Sequence, residues 1–172
     1  MTPMRLLIYG GTFNPPHLGH ADALSCAAEY LHADAVLVIP AGIPPHKALA
    51  EGSPEASERL RLCELAFENA EVSPMELLRE GKSYTVDTLE RISAEKPEAE
   101  LYFLVGTDML LYMEQWHDFR STCGRRTVQH SDKRREEADA QRCADRGGLA
   151  LLRTVQHGIP LLRPALRLWK GP

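Results

Sequence analysis

The amino-acid sequence predicts an α/β fold with a doubly wound parallel sheet, because short apolar runs alternate along the chain with segments of helical periodicity. Residues 4–9 and 35–39 are such runs, as expected of strands that are buried on both faces of a parallel sheet. Between them, apolar residues recur every three or four positions, which indicates a helix: Leu18, Ala21, Leu24, Ala28 and Leu31. Residues 4–39 therefore form a βαβ unit, with Asn14 as the predicted helix cap and Pro15 at the first helical position.

The alternation of helices and strands continues beyond this unit. The further predicted elements are a helix at residues 53–69, a short strand at 70–73, a helix at 85–94 and a buried strand at 101–105. An apolar stripe on the first of these helices is predicted to contain Leu62, Leu65 and Ala66. Taken together, the elements indicate a Rossmann-like arrangement, in which ligands bind at the carboxyl ends of the strands.

Length and composition indicate one globular domain spanning residues 1–172. The chain is 44% hydrophobic and 26% charged, far from the values of disordered or fibrous proteins. Its first apolar run is too short for a signal peptide or a membrane span, so we expect a cytoplasmic protein without membrane contact. The four cysteines lie far apart and argue against a disulfide framework; Cys26 and Cys63 are predicted to lie in helix core.

Charge divides the chain into an acidic body and a basic tail. Residues 1–120 contain 9 Lys and Arg against 19 Asp and Glu, whereas residues 121–172 contain 11 against 5. The body therefore carries −10 and the tail +6, and the tail requires its own explanation.

A glycine-rich segment directly after the first strand is the most informative part of the sequence. Residues 10–20 read Gly-Gly-Thr-Phe-Asn-Pro-Pro-His-Leu-Gly-His. Gly10 and Gly11 allow the backbone to approach phosphates closely, and the following helix offers unpaired N–H groups and the positive end of its dipole. We therefore expect Gly10, Gly11, Thr12 and Phe13 to cradle phosphate groups.

Two histidines follow this loop at a spacing of three. His17 and His20 should project from one face of the first helical turns toward the phosphate site, and Gly19 should leave room for a ligand. Imidazoles beside a phosphate-binding loop suit phosphoryl-group chemistry, in which alignment and charge stabilisation matter more than a strong base. These histidines are the predicted catalytic residues.

With this segment the sequence resembles the HxGH nucleotidyltransferase superfamily, and more closely the bacterial nicotinate-nucleotide adenylyltransferases. Three further segments match in the expected order: Ile-Pro-Pro-His-Lys at residues 43–47, Ser-Tyr-Thr-Val-Asp-Thr-Leu at 83–89, and Val-Gly-Thr-Asp at 105–108 with Glu-Gln-Trp-His at 114–117. The resemblance implies that ATP is bound by Gly10, Gly11, Thr12, Phe13, Gly19, Gly106 and Asp108, with Asp108 on the adenosine ribose. It implies that the mononucleotide is bound by Lys47, Tyr84, Thr85 and Trp116, with Trp116 stacked on the nicotinate ring.

The reaction implied by the resemblance is adenylyl transfer from ATP to nicotinate mononucleotide, which yields nicotinate adenine dinucleotide and pyrophosphate on the way to NAD. Mg²⁺ would arrive with ATP, since no metal ligands from the protein are evident in the sequence. One alternative is a related enzyme such as a pantetheine-phosphate adenylyltransferase, against which Tyr84, Thr85 and Trp116 argue. Another is a nucleotide-binding chain with impaired catalysis. The sequence leaves open whether the chain forms a homo-oligomer and whether it prefers nicotinate or nicotinamide forms.

The resemblance covers residues 4–119 and stops there. The superfamily closes with an Ile-Ser-Ser-Thr-x-Ile-Arg segment that binds ATP phosphates, but residues 161–172 contain no Ser or Thr. Residues 120–172 are therefore an atypical tail, in which only residues 149–155 resemble a strand. We expect residues 121–147 to be poorly ordered, the adjoining sheet edge to be uncovered, and ATP to bind weakly.

Three explanations of the tail compete: a divergent functional closure, a segment altered by a shifted reading frame, and a basic arm that binds nucleic acid. We favour the second because the pattern changes abruptly. Nucleic acid is not an expected partner, since no aromatic residues are interleaved with the arginines. A zinc site is not favoured either, because the ligands available to it are widely spaced: Cys123, His130, Cys143 and His157.

Overall fold

A computed structural model describes residues 3–44, 49–106, 109, 116 and 117, together with the backbone of residues 149–153. The poor order predicted for residues 121–147 therefore concerns residues outside this part of the chain, and so does most of the predicted tail.

The predicted parallel sheet is confirmed. Its strands are β1 (Met4–Gly11), β2 (Ala35–Pro40), β3 (Glu71–Val72), β4 (Ala99–Gly106) and β5 (Leu149–Arg153), in the spatial order β3-β2-β1-β4-β5. The first four strands are parallel, and β5 pairs antiparallel with β4 over five residue pairs. The expectation of an uncovered edge is thus wrong along this stretch of β4, where β5 satisfies the backbone groups.

Among the described residues, three helices connect the first four strands: α1 (Leu18–Leu31), α2 (Ala56–Ala66) and α3 (Thr85–Glu95). The first begins later than predicted, with His17 rather than Asn14 at the N-cap. The late start of α1 has two causes. Pro15 precedes another proline and is therefore disfavoured in the helical region, and the Asn14 amide donates a hydrogen bond to the Ser53 hydroxyl at 2.8 Å. Residues 12–17 are consequently a loop at the sheet edge.

The second helix is shorter than the predicted range of residues 53–69 and packs through a different face. Glu55 is its N-cap, and its backbone N–H donates to the Glu58 carboxylate at 2.8 Å. The predicted stripe is wrong at Leu65, which is 66% exposed. The side chains that face the sheet are Arg59, Cys63 and Phe67, spaced by four residues along one face.

The core lies on both faces of the sheet, because successive side chains of β1 point to opposite sides. Leu6 and Ile8 pack toward α3, in a cluster that includes Leu89 and Ile92. The opposite cluster contains Leu7, Tyr9, Leu24, Ala27, Val38, Cys63 and Leu104. The prediction that Cys63 lies in the core is confirmed: burial raises the pKa of its thiol to about 12, so the thiol stays protonated at neutral pH. Cys26 is half-buried on α1.

Candidate active site

A cavity of about 510 Å³ opens at the carboxyl ends of the parallel strands, where a Rossmann-like sheet is expected to bind ligands. Nine of the predicted site residues line it: Gly10, Gly11, Thr12, Phe13, His20, Tyr84, Thr85, Gly106 and Trp116. His17 and Gly19 lie beside it without lining it. Lys47 and Asp108 fall outside the described residues, so the structure says nothing of their predicted roles.

The loop after β1 is held in place by the buried ring of Phe13. Phe13 is 3% exposed, and its ring contacts those of Tyr9, Phe67 and His20 edge to face, with centroids 5.3 to 6.3 Å apart among the four rings. Its φ of 45° lies in the left-handed region, which a bulky residue adopts only when its surroundings compel it. A Cβ atom at Gly11 would lie 3.0 Å from this ring. Gly11 is therefore required by the packing of Phe13 as well as by any approach of a phosphate.

The two histidines lie against each other at the start of α1. Their ring centroids are 3.7 Å apart, and Nδ1 of His20 accepts a hydrogen bond from the backbone N–H of His17 at 3.2 Å. Because Nδ1 is an acceptor, the neutral His20 ring carries its proton on Nε2. Burial and the neighbouring His17 both lower the pKa of His20. His20 therefore offers a neutral N–H donor at the wall of the cavity.

Gly19 lies beside the imidazole of His17. A Cβ atom there would lie 3.2 Å from the His17 ring, so the open space beside this glycine is taken up by the imidazole of His17. The absence of a side chain at Gly19 thus accommodates the His17 ring, and the predicted contact of Gly19 with a ligand stays a prediction.

Further aromatic side chains line the cavity: Tyr84, Phe103, Trp116 and His117. Tyr84 is the N-cap of α3, and its ring lies 4.4 Å from that of His117, measured between centroids. The rings of Trp116 and Phe103 are roughly perpendicular, with centroids 6.4 Å apart, and the buried indole N–H has no hydrogen-bond partner among the described residues. An aromatic wall with a spare donor suits a flat, polar ring.

Sequence reasoning missed a buried carboxyl group in the cavity wall. Glu76 is 8% exposed, and its Oε1 accepts a hydrogen bond from the Thr88 hydroxyl at 2.7 Å. Burial raises the pKa of Glu76, against the opposing effects of the Thr88 hydrogen bond and of Arg79. Glu76 stands in a Met-Glu-Leu-Leu stretch without a recognisable pattern, so its burial could not be read from the sequence.

Among the residues that the structure describes, no group of three or more His, Cys, Asp or Glu side chains could hold a metal ion. None of the helices in that part of the chain is both long enough and apolar enough to cross a bilayer.

Residues 8–156 match the family model described as cytidylyltransferase-like. A probable nicotinate-nucleotide adenylyltransferase from Listeria monocytogenes serotype 4a (strain HCC23) is 39% identical over 113 residues, which cover 64% of this chain and 60% of the relative. One of the same name from Synechococcus sp. (strain JA-2-3B'a(2-13)) is 41% identical over 120 residues, covering 68% and 59%. The chain thus spans about three fifths of the length of the curated relatives it matches.

Solved structures share the fold. Nicotinic acid mononucleotide adenylyltransferase of Plasmodium falciparum, complexed with NaAD, superimposes with a TM-score of 0.61 over 76% of this chain and 70% of that chain. The same enzyme complexed with APC gives a TM-score of 0.56 over 69% and 58%. Both are 17% identical in sequence, so this likeness concerns the fold alone.

Proposed function

The chain belongs to the cytidylyltransferase-like family, and we propose that it transfers the adenylyl group of ATP to nicotinate mononucleotide. The relatives that are 39% and 41% identical carry the name of that enzyme. One observation carries the proposal: a single cavity has His20 and the glycine loop among its walls together with Tyr84 and Trp116. Such a cavity provides polar donors for phosphates and an aromatic surface for a base.

The proposed reaction is an in-line displacement. A phosphate oxygen of nicotinate mononucleotide attacks the α-phosphorus of ATP; the new P–O bond forms as the bond to the bridging α–β oxygen breaks, and pyrophosphate leaves. The attacking phosphate is already ionised, so no general base is needed. Mg²⁺ bound to ATP would neutralise part of the charge on the phosphates.

The chain's own residues align and stabilise this displacement. The Nε2–H of His20 donates to an oxygen of the α-phosphoryl group, and the adjacent imidazole of His17 stabilises the leaving pyrophosphate. The loop of residues 10–13 and the start of α1 supply backbone N–H groups to the phosphates. By the family resemblance, Gly106 and Asp108 hold the adenosine, while Lys47, Tyr84, Thr85 and Trp116 hold the mononucleotide.

Turnover of the purified full chain tests the proposal. The chain is incubated with ATP and Mg²⁺ and, separately, with nicotinate mononucleotide, nicotinamide mononucleotide or pantetheine phosphate, while pyrophosphate and the adenylylated product are quantified. We expect product with nicotinate mononucleotide, and none after Mg²⁺ is chelated. Turnover with pantetheine phosphate instead would assign the chain to another branch of the family. ATP binding without turnover would identify a nucleotide-binding chain whose altered C-terminal part has abolished catalysis.

A further inference from the structure

A buried arginine lies behind the loops that form the phosphate end of the cavity. Arg59, on α2, is 1% exposed. Its Nη1 donates to the carbonyl oxygens of Thr12 and Ala41, both at 2.8 Å, and its Nη2 donates to that of Gly42 at 3.3 Å. In the part of the chain that the structure describes, Arg59 forms no ion pair with a carboxylate.

This arrangement is unusual for a buried cation. A guanidinium in a protein interior is normally compensated by a carboxylate, because removing its charge from water is costly. Here the compensation comes from three peptide carbonyls. Burial lowers the pKa of the Arg59 guanidinium, but the pKa of an arginine is so high that the group stays charged. Glu55, at the N-cap of the same helix, favours this charge electrostatically without forming an ion pair with it, so the direct partners of the guanidinium are the peptide carbonyls.

The three carbonyls belong to two separate loops. Thr12 lies in the loop after β1, whereas Ala41 and Gly42 directly follow β2; Thr12 and Ala41 also line the cavity. A further bond joins the two loops, from the Ala41 N–H to the Gly11 carbonyl at 2.8 Å. One planar guanidinium thus fixes the relative position of two adjacent strand ends.

Fixing a carbonyl also fixes the N–H group of the same peptide. In a trans peptide the C=O and the N–H point in opposite directions, so a Thr12 carbonyl turned toward Arg59 turns the Phe13 N–H away from it. The same holds for the Ala41 carbonyl and the Gly42 N–H. The donors in both loops are held in one orientation before any ligand arrives.

We propose that Arg59 is a positioning residue for the nucleotide phosphates: it presets the peptide planes after Thr12 and Ala41, and its buried positive charge favours a polyphosphate in the cavity. This deepens the proposed function and rests on it. A charge buried behind a loop is screened less by water and salt than one on the surface, so it acts on a phosphate across the peptide groups. Affinity for ATP should therefore depend on Arg59 more than affinity for the mononucleotide does.

Two substitutions separate the parts of this proposal. Arg59→Met keeps the aliphatic bulk and removes both the donors and the charge. Arg59→Lys keeps the charge but cannot reach three carbonyls with a planar fork. We expect Arg59→Met to lower the affinity for ATP by about 30-fold or more, and Arg59→Lys to lower it by about 5- to 10-fold. Binding of nicotinate mononucleotide should change by less than about 3-fold in both variants.

Two control variants exclude trivial causes. Arg61→Met removes a positive charge from an exposed position on the same helix. Cys63→Ala removes a buried sulfur atom from the core, one turn further along the buried face of α2. We expect both to retain ATP affinity, although Cys63→Ala should be less stable. If Arg59→Met does not fold, the comparison of Arg59→Lys with Cys63→Ala decides the matter.

The experiment is calorimetric titration of each full-length variant with ATP and, separately, with nicotinate mononucleotide, at two salt concentrations. It needs no turnover, so a wild-type chain that binds ATP but forms no product overturns the proposed function and leaves this inference standing. Three results would overturn the inference about Arg59. One is wild-type ATP affinity in both Arg59→Lys and Arg59→Met; another is an equal loss of affinity for ATP and for nicotinate mononucleotide. The third is a loss of ATP affinity in Arg61→Met as large as that in Arg59→Met. A wild-type chain that does not bind ATP would overturn both proposals.

Discussion

Nδ1 of His20 accepts a hydrogen bond from the backbone N–H of His17 at 3.2 Å. This bond satisfies one of the free N–H groups at the start of α1, and it determines which ring nitrogen of neutral His20 carries the proton. The same side chain thus stabilises the helix start and directs a donor from Nε2. Its two nitrogens can be tested separately.

Replacement of His20 by Asn separates the two roles. The Asn oxygen can take the place of Nδ1 as the acceptor for the His17 N–H, but nothing replaces the Nε2–H donor. We expect kcat to fall by about a hundredfold, as for the loss of one positioned donor, while stability changes by less than about 1 kcal/mol. Steady-state kinetics and urea unfolding measure the two effects. His32→Asn, at an exposed C-cap with φ of 50° that Asn tolerates, is the matched control and should keep full activity.

The pKa of His20 can be followed directly by NMR titration of its ring protons. Burial and His17 both lower it, so wild-type His20 should titrate below the usual His value of about 6.5. His17→Ala removes the second cause and should move the titration upward, though not fully to the usual value. In the wild-type chain, the lowered pKa means that folded His20 binds fewer protons than unfolded His20 near pH 6.5. The free energy of unfolding should therefore decrease as pH falls through about 6.5, and level off below the folded pKa. A midpoint unchanged by His17→Ala would contradict this.

The first strand and the glycine loop that line the cavity were predictable from the sequence, whereas the groups behind them were not. A glycine pair after an apolar run identifies β1 and the following loop on local grounds, and the helical spacing identifies α1. Arg59 and Arg61 are indistinguishable in the sequence, yet the first is buried and the second exposed. The difference arises from carbonyls 17 to 47 residues away in the chain, which no local pattern records.

The start of α1 was mispredicted for a related reason. Asn14 and Pro15 have the residue types of a helix start, but the amide of Asn14 bonds to Ser53, 39 residues later. Likewise, Leu65 fits an apolar stripe by spacing alone, while the contacts of Arg59 and Phe67 determine which face of α2 meets the sheet. Tertiary contacts override local propensity at these positions.

Glu76→Gln should leave the fold intact and raise its stability at neutral pH. Gln removes a carboxylate that is disfavoured by burial, while its amide oxygen can still accept the Thr88 hydrogen bond. Since the folded pKa is raised, wild-type stability should fall as pH rises from about 4.5 through the folded pKa, and Glu76→Gln should lack this step. Urea unfolding from pH 4 to 8 measures it. Glu80→Gln, at an exposed position, is the control and should retain the wild-type profile.

Gly42→Ala should destabilise the fold by about 2 to 3 kcal/mol, because the added methyl would meet main-chain atoms that cannot move aside alone. Its Cβ would overlap the carbonyl oxygen of Glu76 and lie 3.1 Å from the Ser83 hydroxyl. Thermal and urea unfolding give the loss. Gly52→Ala is the comparison: its φ of 79° strains any side chain, but nothing lies within 4 Å, so only about 1 kcal/mol should be lost. Similar losses in both variants would show that contact with Glu76 is not the cause at Gly42.

Trp116→Ala should weaken the binding of nicotinate mononucleotide and leave the binding of ATP nearly unchanged. The indole lies in the cavity wall, roughly perpendicular to the ring of Phe103, and its buried N–H lacks a partner among the described residues. Stacking on an aromatic side chain contributes about 1 to 3 kcal/mol, so the KM for the mononucleotide should rise by about 5- to 150-fold while that for ATP changes little. Trp116→Phe keeps a smaller ring and removes the N–H, and should recover part of the affinity. Steady-state kinetics with each substrate varied in turn provide the measurement. Equal increases in both KM values would show that Trp116 supports the site as a whole and does not contact the mononucleotide.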